Sequence, residues 1–235
     1  MKLLLLSNSR APDGGYLTHS REVIAAVLQG AKKALFVPFA GVTITWDNYT
    51  SDVQAAIAHT GVQLVGAHQA DAVPQFLAGD IEAIIVGGGN TFQLLAECRK
   101  RGWLVRIGDA VRSGRMPYIG WSAGANLAGQ TINTTNDMPI VNPHGFNALG
   151  LVSFCINPHY NNSLPPGHQG ETRDQRLTEC LAANPQMRVV ALPEGTWLEV
   201  LDSQVTVGGA FAAKVLDAGK ASVDVPIGSV IAQHA

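Results

Sequence analysis

Four short apolar runs constrain what this chain can become: residues 3–6, residues 34–37, residues 83–86, and the run ending at Tyr118-Ile119. In Ala83-Ile84-Ile85-Val86 every side chain is apolar, so no alternation separates a wet face from a dry one. A strand of that kind is buried on both sides, as the central strands of a parallel sheet are. Longer amphipathic segments separate the runs. Residues 17–28 place Val23, Ala26 and Val27 on one helical face, and residues 45–58 do the same with Val53, Ala56 and Ile57. Thr45 and Asn90 stand where helix caps are needed, Asn90 opening a helix that runs to about Arg101. A further helix is predicted over 105–111 and a further strand over 62–65. This repetition predicts an α/β fold: a doubly wound, mostly parallel sheet flanked by helices, flavodoxin-like in kind.

The rhythm changes in the second half. Residues 131–154 are rich in Asn, Thr, Pro and Gly and predict loops with short strands. Cys155-Ile156 and residues 189–192 read as strands, residues 172–183 as a helix, and residues 197–207 as two strands paired through Asp202-Ser203-Gln204. Residues 211–216 and 223–227 add extended pieces. With no linker or repeat in view, residues 1–235 are expected to form a single domain with extra C-terminal strands.

Composition narrows the class. Of 235 residues, 46% are hydrophobic and 14% charged, which supports a large core, and the formal net charge is −2. No basic stripe is present to displace counterions, which argues against nucleic acid as a partner. No run approaches the ~18 apolar residues of a membrane helix, so no membrane partner is expected. Cys98, Cys155 and Cys180 show no C-x-x-C spacing. They suit a reducing, cytoplasmic setting and suggest no metal site.

The chemistry centres on Tyr118-Ile119-Gly120-Trp121-Ser122-Ala123-Gly124. A strand-like pair leads into G-x-S-x-G and small residues follow, the pattern of a nucleophile elbow that lifts a serine hydroxyl clear of a sheet. The bland reading is a tight turn with a buried Ser. A nucleophilic Ser122 needs a base, and His159 is best placed of the seven histidines. It follows Ile156-Asn157-Pro158 at the carboxyl end of a strand candidate, where ligands gather in open α/β sheets. His144 and His168 are rivals in Gly- and Pro-containing loops. Two carboxylates could orient the base: Asp137, in a loop after the elbow helix, and Glu194, just past the strand over 189–192. Either gives a permissible triad order, and either could be an ordinary turn residue. Gly87-Gly88-Gly89-Asn90 lies between a buried strand and a helix. Beside a nucleophilic serine it reads as an oxyanion hole, with Gly88 or Gly89 and Ala123 as backbone donors.

Together these segments resemble the peptidase E family of serine peptidases, which has the class I glutamine-amidotransferase-like fold. The resemblance rests on Val37-Pro38-Phe39-Ala40-Gly41-Val42-Thr43, Ile85-Val86-Gly87-Gly88-Gly89-Asn90-Thr91-Phe92-Gln93, the elbow, Thr134-Thr135-Asn136-Asp137-Met138-Pro139, Ile156-Asn157-Pro158-His159, Gly170-Glu171-Thr172-Arg173 and Leu192-Pro193-Glu194-Gly195. It implies a cofactor-free exopeptidase, monomer or homodimer, that hydrolyses small dipeptides with an N-terminal L-aspartate (Asp-X) through an acyl-enzyme. By that resemblance Ser122 is the nucleophile, His159 the base, and Gly88 and Ala123 the oxyanion donors. Asp137 is favoured as the more sensitive acid, and Glu194 stays a candidate orienting carboxylate. Arg173 is implied as the partner of the substrate aspartate, a task suited to a planar guanidinium. Two other readings compete: a peptidase of the same fold acting on β-aspartyl linkages, and a non-catalytic binder of anionic metabolites.

Overall fold

In the computed structural model, which describes residues 1–167 and 169–231, the four apolar runs lie side by side. Strand β1 (Lys2–Leu6) pairs in parallel with β5 (Tyr118–Trp121), and β5 with β4 (Ala83–Val86). Next come β2 (Lys33–Val37) and the edge strand β3 (Gln63–Gly66), both also parallel. The registers Leu6↔Trp121 and Val86↔Gly120 bring three carboxyl ends level at one rim.

Alternate side chains of these strands feed two different cores, which is why the runs carry no polar positions. Leu5, Leu35, Val37, Ile84 and Val86 face one side. There they meet Phe76 of α3 (Ala72–Ala78), Leu94 and Leu95 of α4 (Thr91–Lys100), and Trp103 and Ile107 of α5 (Trp103–Arg112). Leu4, Leu6, Phe36 and Ile85 face the other, against Ile24 and Leu28 of α1 (Arg21–Leu28) and Tyr49 and Val53 of α2 (Trp46–Ala56). Both predicted caps form: Thr45 Oγ1 accepts from the Asn48 amide at 3.3 Å, and Asn90 Oδ1 from the Gln93 amide at 3.0 Å. Helix α1 starts four residues later than its sequence pattern, and α5 is longer than expected. Helix α3 had no counterpart in the sequence expectations, because it is seven residues long and carries Pro74 in its first turn.

The C-terminal strands divide between two sheets. Strands β8 (Thr196–Leu201), β9 (Gln204–Gly209) and β12 (Val230–Ile231) extend the large sheet beyond β1, all antiparallel. A second, four-stranded sheet pairs β6 (Cys155–Asn157) in parallel with β7 (Arg188–Ala191). Strands β10 (Ala213–Asp217) and β11 (Val223–Val225) complete it, and Leu177 and Leu181 of α7 (Arg173–Ala183) cover it. The chain crosses between the sheets at Leu192-Pro193-Glu194-Gly195. Within 131–154, where short strands were expected, a lone bridge joins Thr131 and Asn147. Among the described residues no helix is long and apolar enough to cross a membrane.

Candidate active site

Strand β5 stops at Trp121, and α6 (Ala123–Leu127) begins one residue after Ser122. Between them Ser122 adopts φ 52° and ψ −114°, a conformation disfavoured for a residue with a side chain. The neighbouring glycines are a steric necessity. A Cβ at Gly124 would collide with the Val86 carbonyl oxygen, and one at Gly120 would lie 2.5 Å from the Gly124 carbonyl oxygen. The Ser122 amide donates to the Leu6 carbonyl at 3.0 Å, which fixes the half-buried serine to the rim of β1.

His159 arrives from the other sheet. It follows β6 and Pro158 and, like Ser122, has a positive φ, 53°, although it is not a glycine. Its amide donates to Ser7 Oγ at 2.9 Å, and Ser7 Oγ donates to the Leu192 carbonyl at 2.8 Å. Buried Ser7 thus pins β6 and β7 to the end of β1. So held, the imidazole spans two partners. Nε2 lies 2.9 Å from Ser122 Oγ and Nδ1 lies 2.7 Å from Glu194 Oε1. With Nδ1–H donating to the carboxylate, Nε2 is free to accept the serine proton. Glu194 is exposed, its side chain at 66%.

Asp137 is placed elsewhere. Its Oδ2 accepts from the Thr91 amide at 2.7 Å and from Thr135 Oγ1 at 3.0 Å. Both His159 ring nitrogens are already engaged by Ser122 and Glu194, so Asp137 has no place on the imidazole. It instead clasps its loop to the first turn of α4, where the helix dipole favours a negative charge.

That first turn follows the glycine loop. A Cβ at Gly87 would lie 2.6 Å from Tyr49 Oη, and one at Gly88 would lie 3.0 Å from the Ser122 Cβ. Gly89 has φ 132°, and a Cβ there would strike the Ala40 carbonyl oxygen. The loop therefore touches the serine through backbone alone. Tyr49 Oη donates to the Gly88 carbonyl at 3.0 Å and accepts from Trp121 Nε1 at 3.3 Å, tying the loop to the strand of the elbow. The Ala123 amide, as the first of helix α6, has no intrahelical acceptor.

Arg173 opens α7 and donates to Asn136 Oδ1. Asn136 Nδ2 in turn donates to the Pro158 carbonyl at 2.9 Å, one residue before His159. Burial, and then the nearby Arg176, hold its pKa below the usual arginine value. Glu171 lies 3.8 Å from Arg176. The other described histidines sit apart from the serine. His144 is an exposed loop residue, His68 pairs with Asp47 at 2.8 Å, and His59 meets the Arg21 carbonyl at 3.2 Å. His19 is held below the usual histidine value by burial. His168 and His234 lie outside the described residues.

A cavity of about 890 Å³ opens in front of Ser122, lined also by His159, Gly88, Gly89, Arg10 and Tyr16. The sequence pattern assigned no role to Ser7, which lies in a run shared with the family, nor to Arg10, Tyr16 and Tyr49. The signal for Ser7 and Arg10 was available, since both follow the carboxyl end of a buried strand. For Tyr49 it was not: within an amphipathic helix it reads as core.

The model of peptidase family S51 matches residues 3–208 of this chain. A curated relative, the peptidase E of Citrobacter koseri, is 52% identical over 228 residues, spanning 97% of this chain and 99% of its own. The peptidase E of Escherichia coli O6:K15:H31 is 51% identical over the same shares. Among solved structures, a peptidase from an acI-B1 actinobacterium superposes with a TM-score of 0.71 at 18% identity. That match covers 98% of this chain and 96% of the other, and it bears on the fold alone.

Proposed function

This chain belongs to peptidase family S51, and from that premise we propose that it is a serine dipeptidase hydrolysing Asp-X dipeptides through an acyl-enzyme on Ser122. The observation that carries this reading is the His159 ring, held between Ser122 Oγ and Glu194 Oε1 at 2.9 and 2.7 Å. Ser122 Oγ attacks the aspartyl carbonyl carbon, and its proton passes to His159 Nε2. Glu194 stabilises the imidazolium that results. The oxyanion forms against the Ala123 amide and the Gly88–Gly89 backbone, donors that are each typically worth ~3 kcal/mol to the transition state. The C–N bond then breaks as His159 returns the proton to the leaving amine. Water, activated by the same imidazole, hydrolyses the aspartyl ester and restores the serine.

Arg173 supports the aspartyl preference, being a half-buried cation tethered beside His159 through Asn136 and Pro158. Asp137 serves in support of the glycine loop through Thr91. No cofactor takes part. The setting we propose is the cytoplasm, which suits three free thiols.

Turnover of Asp-Leu, followed by release of free leucine, tests the reading. Ser122→Ala is expected to lower kcat by at least ~10⁴-fold while leaving the circular dichroism spectrum unchanged. Retained turnover would remove Ser122 as nucleophile. Cleavage of the β-linked isomer in preference to Asp-Leu would shift the reaction to β-aspartyl bonds.

A further inference from the structure

An Asp-X dipeptide carries two carboxylates, one on the aspartyl side chain and one at the C-terminus of the leaving residue. Arg173 accounts for the first. We propose that Arg10 is the specificity residue for the second: its guanidinium holds the leaving residue's C-terminal carboxylate, and the cavity before Ser122 houses that residue's side chain. The inference rests on the dipeptidase reading and deepens it.

Arg10 sits in Ser7-Asn8-Ser9-Arg10, directly after β1, the strand that lies beside the one delivering Ser122. Its backbone is well rooted. It forms an antiparallel bridge with Tyr16, its carbonyl accepts from Asn8 Nδ2 at 2.6 Å, and the Leu17 amide reaches the Ser9 carbonyl at 2.6 Å. The side chain is exposed, with the guanidinium 5.5 Å from the centre of the Tyr16 ring. One of its donors reaches the Gly14 carbonyl at 3.2 Å. A guanidinium has five donors in a planar fork, so an edge suited to a carboxylate is left over.

Charge in the cavity points the same way. Among its described lining residues Arg10 is the one arginine or lysine, and Asp52 the one carboxylate. Asp52 stands on α2, one turn beyond Tyr49, and repels an anion from that wall toward Arg10. Val42, Ile44, Ala55 and Ala56 make much of the remainder apolar, a lining for an apolar side chain. Arg173 is not part of this cavity; it is tied to Asn136 and Pro158 on the side of the smaller sheet. The two arginines therefore reach the reacting pair from different elements, one after β1 and one at the start of α7. A cation on the leaving side also predicts a preference for dipeptides, since a longer peptide offers a neutral amide at that place.

The test compares kcat/KM for Asp-Leu and for Asp-Leu amide with the full-length protein. The wild type is expected to favour the acid by about tenfold, the size of a charge-assisted hydrogen-bonded pair at a partly wet site. Arg10→Met should bring that ratio close to unity, and Arg10→Lys should restore part of it. Arg173→Met should lower both substrates together and leave the ratio standing. Equal losses on both substrates in Arg10→Met, or a wild-type ratio already near unity, would overturn the subsite. If the wild type cleaves neither substrate, the dipeptidase reading falls and the subsite with it. If it cleaves both and Arg10→Met leaves the ratio unmoved, only the subsite falls. Thermal melting and phosphonate labelling of Ser122 check that the variant is folded.

Discussion

His159 has two ring nitrogens, and the partners they hold separate the two carboxylates that the sequence offered, of which the family resemblance favoured Asp137. Glu194 Oε1 lies 2.7 Å from Nδ1, whereas Asp137 takes the Thr91 amide. Substitutions should separate the two by kind as well as by size. Glu194→Gln is expected to lower kcat about 10- to 100-fold with little change in melting temperature, because the exposed carboxylate is partly replaceable by water. Asp137→Asn weakens a charge-assisted cap on α4 and should destabilise the protein by about 1–2 kcal/mol, with a smaller effect on kcat. Denaturant titration beside steady-state kinetics reads both. The meeting of Ser122 with His159 was legible in sequence because each follows a buried strand with a distinctive neighbour, Gly120 or Pro158. The choice between the carboxylates was not legible. It depends on which loop passes between the two sheets, and local spacing does not encode that.

The elbow is a junction of three backbones. Gly124 of α6 rests against the Val86 carbonyl of β4, Ser122 hangs from Leu6 of β1, and the glycine loop runs past the serine Cβ. Gly124→Ala should therefore push α6 off β4 and destabilise the protein by about 1–3 kcal/mol, with loss of activity below the melting transition. A melting curve that matched wild type would show that the contact gives way freely. The central strands were legible because burial on both faces forbids polar positions. The hairpin of β8 and β9 was legible because Asp202-Ser203 marks its turn. The allotment of the C-terminal strands to two sheets was hidden, since a short alternating strand reads alike whichever sheet receives it.

Across the whole molecule, the groups of the proposed triad come from different sheets. Ser122 stands at the rim of the eight-stranded sheet. His159 follows a strand of the four-stranded one, and Glu194 lies where the chain crosses between them. Alignment of the pair then depends on the clasp at Ser7, whose hydroxyl joins the His159 amide to the Leu192 carbonyl. Ser7→Ala leaves the part-buried His159 amide without its acceptor, while the Leu192 carbonyl keeps the Tyr160 amide, and should destabilise the protein by about 1–2 kcal/mol. It should also lower kcat about tenfold while KM changes little, because orientation is lost and binding is retained. A raised KM with kcat unchanged would assign Ser7 to substrate binding.

On the proposed mechanism, this partition also governs when the Ser122 hydroxyl becomes reactive. Synthesis proceeds from the N-terminus, so the elbow leaves the ribosome well ahead of the imidazole and the glutamate. Until residues 188–201 have emerged and bridged both halves, a nascent chain carries only an unarmed alcohol. A copy clipped ahead of that bridge is expected to stay inactive for the same reason, the order of the strands acting as a safety catch.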